Sequence, residues 1–151
     1  MPRLRALPGS YRSVDLESTL ADDTADIESL PYADRSYDLV VCNHVLEHVT
    51  DDRAAMAELR RVLDHGGMAV LQHPVVDEPH TVEDPSVTSP AERLRRFGQD
   101  DHLRVYGWDI LDRLKSSGFS EARNVPVAEL APGVDWDRLG LIETVTILAR
   151  A

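Results

Sequence analysis

The chain has 151 residues, 42% of them hydrophobic and 28% charged, the composition of one globular domain with enough length to bury a core. Its 27 acidic residues outweigh 16 basic ones, for a net charge of −11, and so acidic a surface repels phosphate backbones and argues against nucleic acid as a partner. No apolar run approaches the ~20 residues of a membrane helix, the opening MPRLRALPGSYR lacks the apolar stretch of a secretory signal, and the one cysteine, Cys42, cannot form an internal disulfide. A cytoplasmic protein with no membrane partner is the expectation.

Met1 to Ser10, with Pro2, Pro8 and Gly9, reads as an irregular lead-in. Tyr11 to Leu16 predicts a short strand containing Asp15, and Thr24 to Ile27 a second ending near Asp26. Tyr37 to Cys42 is apolar at successive positions, the pattern of a strand covered on both faces inside a parallel sheet. Asn43-His44-Val45-Leu46-Glu47-His48 follows at its carboxyl end, where open α/β sheets bind ligands. Thr50-Asp51-Asp52 offers acceptors for the free amides of a helix start, with Met56, Leu59, Val62 and Leu63 at helical spacing on its inward face. Gly66 is expected to end that helix in a left-handed conformation, and Met68 to Gln72 to form the next strand.

Pro74 to Thr88, rich in proline and acidic residues, reads as a long loop able to act as a lid. Ser89-Pro90-Ala91-Glu92 is a capping-box pattern whose helix should stop near Gly98. Arg93, Arg95 and Arg96 are expected on the exposed face of that helix. Asp109 to Ser117 predicts another helix, with Ile110, Leu111 and Leu114 inward and Gly118 as its stop. Phe119 to Val127 and Ile142 to Ala149 read as the last strands, separated by a loop with Pro132 and Gly133.

Several of these runs together resemble the class I S-adenosylmethionine-dependent methyltransferases, in particular the type 11 methyltransferase domain. The matching residues are Asp26-Ile27, Leu30-Pro31-Tyr32, Ser36-Tyr37-Asp38-Leu39-Val40, Val45-Leu46-Glu47-His48 and Arg61-Val62-Leu63-Asp64-His65-Gly66-Gly67. The later run Phe97-Gly98-Gln99-Asp100-Asp101-His102-Leu103-Arg104-Val105-Tyr106-Gly107 is similar to a sub-branch of the same family. The resemblance implies an α/β fold with a doubly wound, mostly parallel sheet, a single domain over 1–151, and S-adenosylmethionine as cofactor. It implies methyl transfer to a small-molecule acceptor. A non-catalytic methyltransferase-like binding module is the alternative from another class.

By that resemblance Asp15 would hold the ribose hydroxyls through its two carboxylate oxygens, with Glu17 as competitor for the role. Asp26 would accept from the exocyclic amine of adenine while Ile27 or Leu30 packs on the ring. Asn43 and His44 would lie beside the methionine part of the cofactor, with His44 the first candidate general base and His102 the second. His102, Arg104 and Tyr106 are expected on the substrate side of the pocket. Glu47 and His48 are expected to be structural, pinning the loop to the next helix.

His44-Val45-Leu46-Glu47-His48 also spells H-x-x-E-H, the inverted zinc-protease signature. That chemistry needs both histidines on one face of a long helix, and these five residues follow a buried strand, so no metal is expected; His73, His80 and His102 are the histidines that would complete a zinc-hydrolase site. Cys42 reads as a buried, inert strand residue. The family opens with a strand and a glycine-rich turn, and this sequence contains no G-x-G. The expectation is an N-terminally truncated domain that leaves strand edges open, dimerises or swaps to cover them, or closes the gap with Met1 to Ser10.

Overall fold

The computed structural model describes residues 9–126, 129 and 146–151. Its centre is a sheet in the order β3-β4-β8-β7, built from β3 (Tyr37–Asn43), β4 (Leu63–Gln72), β7 (Glu121–Val125) and β8 (Thr146–Arg150). β3 and β4 run parallel, joined by the helix α1 (Asp52–Val62), whereas β8 is antiparallel to both β4 and β7. Ahead of them, β1 (Val14–Asp15) and β2 (Asp23–Thr24) form a separate parallel pair. The expected loop between the last two strands, around Pro132 and Gly133, and the lead-in up to Pro8 lie outside the described residues.

α1 forms where the sequence provides both a cap and a stripe. Asp51 Oδ1 accepts from the Ala54 amide at 3.0 Å, and Ala55, Met56, Leu59 and Val62 recur on one buried face. The helix ends earlier than expected, because Leu63 turns extended at φ −78° and ψ 133° and begins β4 itself. Gly66 is left-handed at φ 76° but sits inside a bulge of β4, where the register slips between Tyr37↔Leu63 and Leu39↔Met68. Gly67 is required by contact: a Cβ there would lie 2.9 Å from Asp64 O and 3.2 Å from Asp38 O. The glycine pair therefore lets the bulge lie against β3.

Arg61, on α1, collects the loop between β2 and β3. Its guanidinium donates to Glu58 at 2.7 and 2.8 Å, to Tyr32 O at 2.7 Å, to Leu30 O at 3.0 Å and to Asp34 at 2.7 Å. Leu46, Met56, Leu63, Leu71, Ile110 and Ile147 are among the fully buried side chains that join sheet and helices into one core.

Two further expectations change. β3 is an edge strand, not an interior one: among the described residues its outer side has no partner strand, and Leu39 and Val41 are 45% and 47% exposed. The 74–88 segment is no free lid. Within it β5 (Val82–Glu83) pairs with β6 (Arg104–Val105), and Thr81 is bonded to Asp109 through both its amide and its hydroxyl, at 2.8 and 2.6 Å. A Cβ on Gly107 would meet Glu78 O at 2.7 Å, so only glycine admits the segment so close. The short helices stand where the capping signals put them. α2 (Pro90–Phe97) has Ser89 accepting from the Glu92 amide and Gly98 left-handed at φ 90°, and α3 (Ile110–Ser116) follows Asp109.

Candidate active site

β3 delivers Asn43 and His44, both exposed, at its carboxyl end. The His44 amide donates to Gln72 O at 2.7 Å and continues the ladder past the strand. His44 then takes φ 52°, a left-handed conformation uncommon for a side chain of that size. The chain turns there, with the His48 amide donating to Val45 O at 3.0 Å, and runs as a loop to α1. Residues 44–48 therefore make a turn, and the helix that H-x-x-E-H chemistry requires is not formed.

A loop at the end of a sheet leaves carbonyl oxygens without partners, and here three residues of the 97–107 segment supply the donors. Arg104 donates to Leu46 O at 2.9 Å, Val49 O at 2.6 Å and Thr50 O at 3.1 Å. Tyr106 places its hydroxyl 3.1 Å from Leu46 O, and the Leu103 amide donates to Glu47 O at 2.9 Å. This corrects the expectation that His102, Arg104 and Tyr106 line the substrate side. All three are buried, at 2%, 5% and 0% exposure, and Arg104 and Tyr106 brace the loop from behind. The pinning assigned to Glu47 and His48 is thus done by Arg104 and Tyr106. No side-chain hydrogen bond reaches either oxygen of the buried Glu47 carboxylate.

The acidic pair lies at the end of β1 and just past β2, a strand pair separate from the main sheet. Asp15 ends β1 with its Oδ1 accepting from the Glu17 and Ser18 amides at 2.9 and 2.7 Å, which holds the carboxyl below its ordinary range and keeps it anionic. Across the β1–β2 pair the Ala25 amide donates to Asp15 O at 3.1 Å, so Asp26 leaves β2 beside Asp15. Asp26 Oδ1 accepts from the Glu28 amide at 2.9 Å, and Ile27 packs against the core. Glu28 in turn accepts from the Asp51 amide at 2.9 Å, which fastens the Asp26–Ile27 loop to the start of α1, directly after the Asn43–Thr50 loop. Asp15, Asp26 and Asn43 thus stand at or just past the carboxyl ends of β1, β2 and β3.

His73 and His102 are both buried, which their positions in the sequence do not show. His73, just past β4, stacks edge-on against Tyr106 with ring centroids 4.8 Å apart; burial, with a smaller contribution from His44, lowers its pKa from 6.5 to about 4. His102 joins Glu47 and His48 in a group whose candidate ligand atoms lie within 4.8 Å of one another. Spacing could not show this, because about a third of the chain separates His48 from His102. Cys42 is buried as expected, and burial raises its pKa to about 12, which leaves the thiol inert.

Residues 10–71 match the family model described as "Methyltransferase domain". The S-adenosylmethionine-dependent methyltransferase of Mesorhizobium loti superposes with a TM-score of 0.51 at 19% identity, over 85% of this chain and 68% of that one. YcgJ of Bacillus subtilis also superposes with a TM-score of 0.51 at 19% identity, over 85% of this chain and 69% of its own. The fold is that of the class I methyltransferases. In sequence, the uncharacterized methyltransferase YcgJ is 35% identical over 77 residues, 51% of this chain and 28% of that protein. Ajmaline N-methyltransferase of Rauvolfia serpentina is 33% identical over 98 residues, 64% of this chain and 33% of that enzyme. The matched part of the chain spans about a third of the length of these curated relatives.

Proposed function

We infer that the chain carries out methyl transfer from S-adenosylmethionine to a small-molecule acceptor. The observation that supports this most is the alignment of Asp15, Asp26 and Asn43 at the ends of three successive strands of a methyltransferase fold. The residues present fit the adenosine end of that cofactor. Asp15 Oδ1 is occupied by two backbone amides, and the exposed carboxylate keeps its second oxygen for a ribose hydroxyl. Asp26 has the same arrangement, with one oxygen turned to the Glu28 amide and the other available to an exocyclic amine. Ile27 gives an apolar wall for the base, and Asn43 and His44 would face the methionine part.

S-adenosylmethionine supplies a methyl group on a sulfonium sulfur, open to in-line displacement by a nucleophile. The contribution of this chain is chiefly orientation, which can account for much of such a rate. His44, exposed and fixed by its left-handed backbone at the mouth of the site, is the group placed to take a proton from an acceptor hydroxyl or amine. His102 is too buried for that role. A small-molecule acceptor is supported by relatives such as ajmaline N-methyltransferase, named for one. Among the described residues no helix is long and apolar enough to cross a membrane.

A second reading, a methyltransferase-like binding module without catalysis, is favoured by the outer edge of β3, which has no partner strand among the described residues. The test that separates the two is formation of S-adenosylhomocysteine by the chain across a panel of small amines, phenols and carbon nucleophiles. Turnover that falls at least tenfold in His44→Ala supports the enzyme. Cofactor binding with no turnover on any acceptor supports the module.

A further inference from the structure

We propose that Glu47, His48 and His102 hold one divalent transition-metal ion of the zinc type, which clamps the loop after β3 to the 97–103 segment. Candidate ligand atoms of the three side chains lie within 4.8 Å of one another. The Glu47 side chain is 1% exposed, and neither of its carboxylate oxygens has a hydrogen-bond partner. His44 Nδ1 lies 3.3 Å from Oε1 without the alignment of a hydrogen bond. A buried carboxylate with no donor is costly, and a bound cation is one of the few things that removes the cost.

The two imidazoles are arranged to complete the set. His102 Nδ1 lies 3.0 Å from Phe97 O. A carbonyl only accepts, so the ring proton sits on Nδ1 and the lone pair on Nε2, a buried atom with no partner. His48 Nδ1 lies 3.3 Å from Asp101 Oδ2, so a carboxylate stands beside this ring as one does behind metal-binding histidines. The two rings meet edge-on with centroids 4.7 Å apart. Three side chains that can each offer a lone pair to a metal thus converge.

Two imidazoles and one carboxylate match zinc and its first-row neighbours, whereas magnesium and calcium favour oxygen ligands. Binding would draw the ligands inward, since donor atoms around a tetrahedral zinc lie about 3.4 Å apart. The supporting segments are already fixed, by Leu103 N to Glu47 O at 2.9 Å and by Arg104 on the loop carbonyls. Access is from the His48 side, where the side chain is 32% exposed. The set differs from the inverted zinc-protease one, in which His44 and His48 would ligate from a shared helix.

The test uses the untagged 151-residue chain, stripped with chelator and titrated with zinc chloride by calorimetry in the absence of any methyl donor, so that it stands apart from the methyl-transfer reading. One zinc per chain and a raised thermal midpoint are expected, and cobalt in place of zinc should give the visible absorption of a tetrahedral nitrogen and oxygen site. Glu47→Gln and His102→Gln should each weaken binding at least about 100-fold, while His80→Gln, an exposed histidine outside the set, should leave it unchanged. Where either buried substitution prevents folding, the half-exposed His48→Gln carries the test with the same expected loss. Absence of stoichiometric zinc at about 100 µM free metal, or zinc binding that survives His48→Gln, overturns the proposal. A proton shared between His102 and Glu47 would then be what satisfies the cluster.

Discussion

Arg113, on α3, reaches the buried carboxylate of Asp52 at the first turn of α1, with Nη1 3.0 Å from Oδ2. Both side chains are at most 10% exposed. The same guanidinium donates to Glu83 of β5 at 2.8 Å, and the Tyr106 hydroxyl lies 3.0 Å from the same Asp52 oxygen. The buried Arg113–Asp52 pair and the partly exposed Arg113–Glu83 pair thus tie α1, α3 and the 74–88 segment together behind the loop that carries His44. Its position relative to the site matters more than its net contribution, because a buried pair often contributes little over an apolar replacement.

Removing one partner is a different matter. Arg113→Ala leaves Asp52 buried without its counter-charge, and the expected loss is about 3 kcal/mol of unfolding free energy, read by urea denaturation. Asp52→Asn with Arg113→Met in one chain should recover much of that loss. A single Arg113→Ala variant as stable as the parent would show that water reaches Asp52 freely.

The histidine buried past β4 sets a pH dependence. His73 has a folded-state pKa of about 4 against 6.5 when free, because burial disfavours its charged form. The unfolded chain therefore binds the proton first, so stability from this group is intact above pH 6.5 and is lost as pH falls from there towards 4. The loss approaches about 3 kcal/mol at the acid end. His73→Leu should flatten the stability profile between those limits relative to the parent, and parallel profiles would refute the assignment.

How much of this was legible in the sequence depends on range. Asp51, Ser89 and Gly98 act within their own helix turn, and those caps stand where local pattern put them. The run Tyr37 to Cys42 showed a strand, yet could not show its neighbours. Leu39 and Val41 read as interior residues but are exposed, because a strand's burial is decided by what pairs beside it. Arg104 and Tyr106 were placed on the wrong side of the loop for the same reason. Their partners are backbone carbonyls more than 50 positions away, and a carbonyl leaves no mark in a sequence. Gly66 was read as a helix stop because a bulge and a C-cap both call for a left-handed residue.

The open edge of β3 carries its own consequence. Among the described residues the outer groups of β3 have no partner strand, and with exposed Leu39 and Val41 beside them they form a template for another strand, through which the isolated chain should self-associate. Sedimentation velocity should show dimer rising with concentration, and Leu39→Lys with Val41→Lys should return the chain to monomer. A parent chain monomeric at all concentrations would mean that the edge is already covered.

The acidic pair bears on the cofactor directly. Asp15→Ala and Asp26→Ala should each lower affinity for S-adenosylmethionine about ten- to a hundredfold while leaving the circular dichroism spectrum and thermal midpoint near the parent's, since both side chains are exposed. Loss in Glu17→Ala but not in Asp15→Ala would move the ribose contact two residues along.

The central claim is that this chain binds S-adenosylmethionine at the ends of β1, β2 and β3, and calorimetric titration of the cofactor into the 151-residue chain tests it most directly. The account predicts a single saturable site with a dissociation constant of about 0.1–1 mM, weak because the sequence offers no G-x-G turn to the methionine end, and weaker still in Asp15→Ala. No saturable heat at several times that concentration, or binding that ignores both Asp15→Ala and Asp26→Ala, would contradict it.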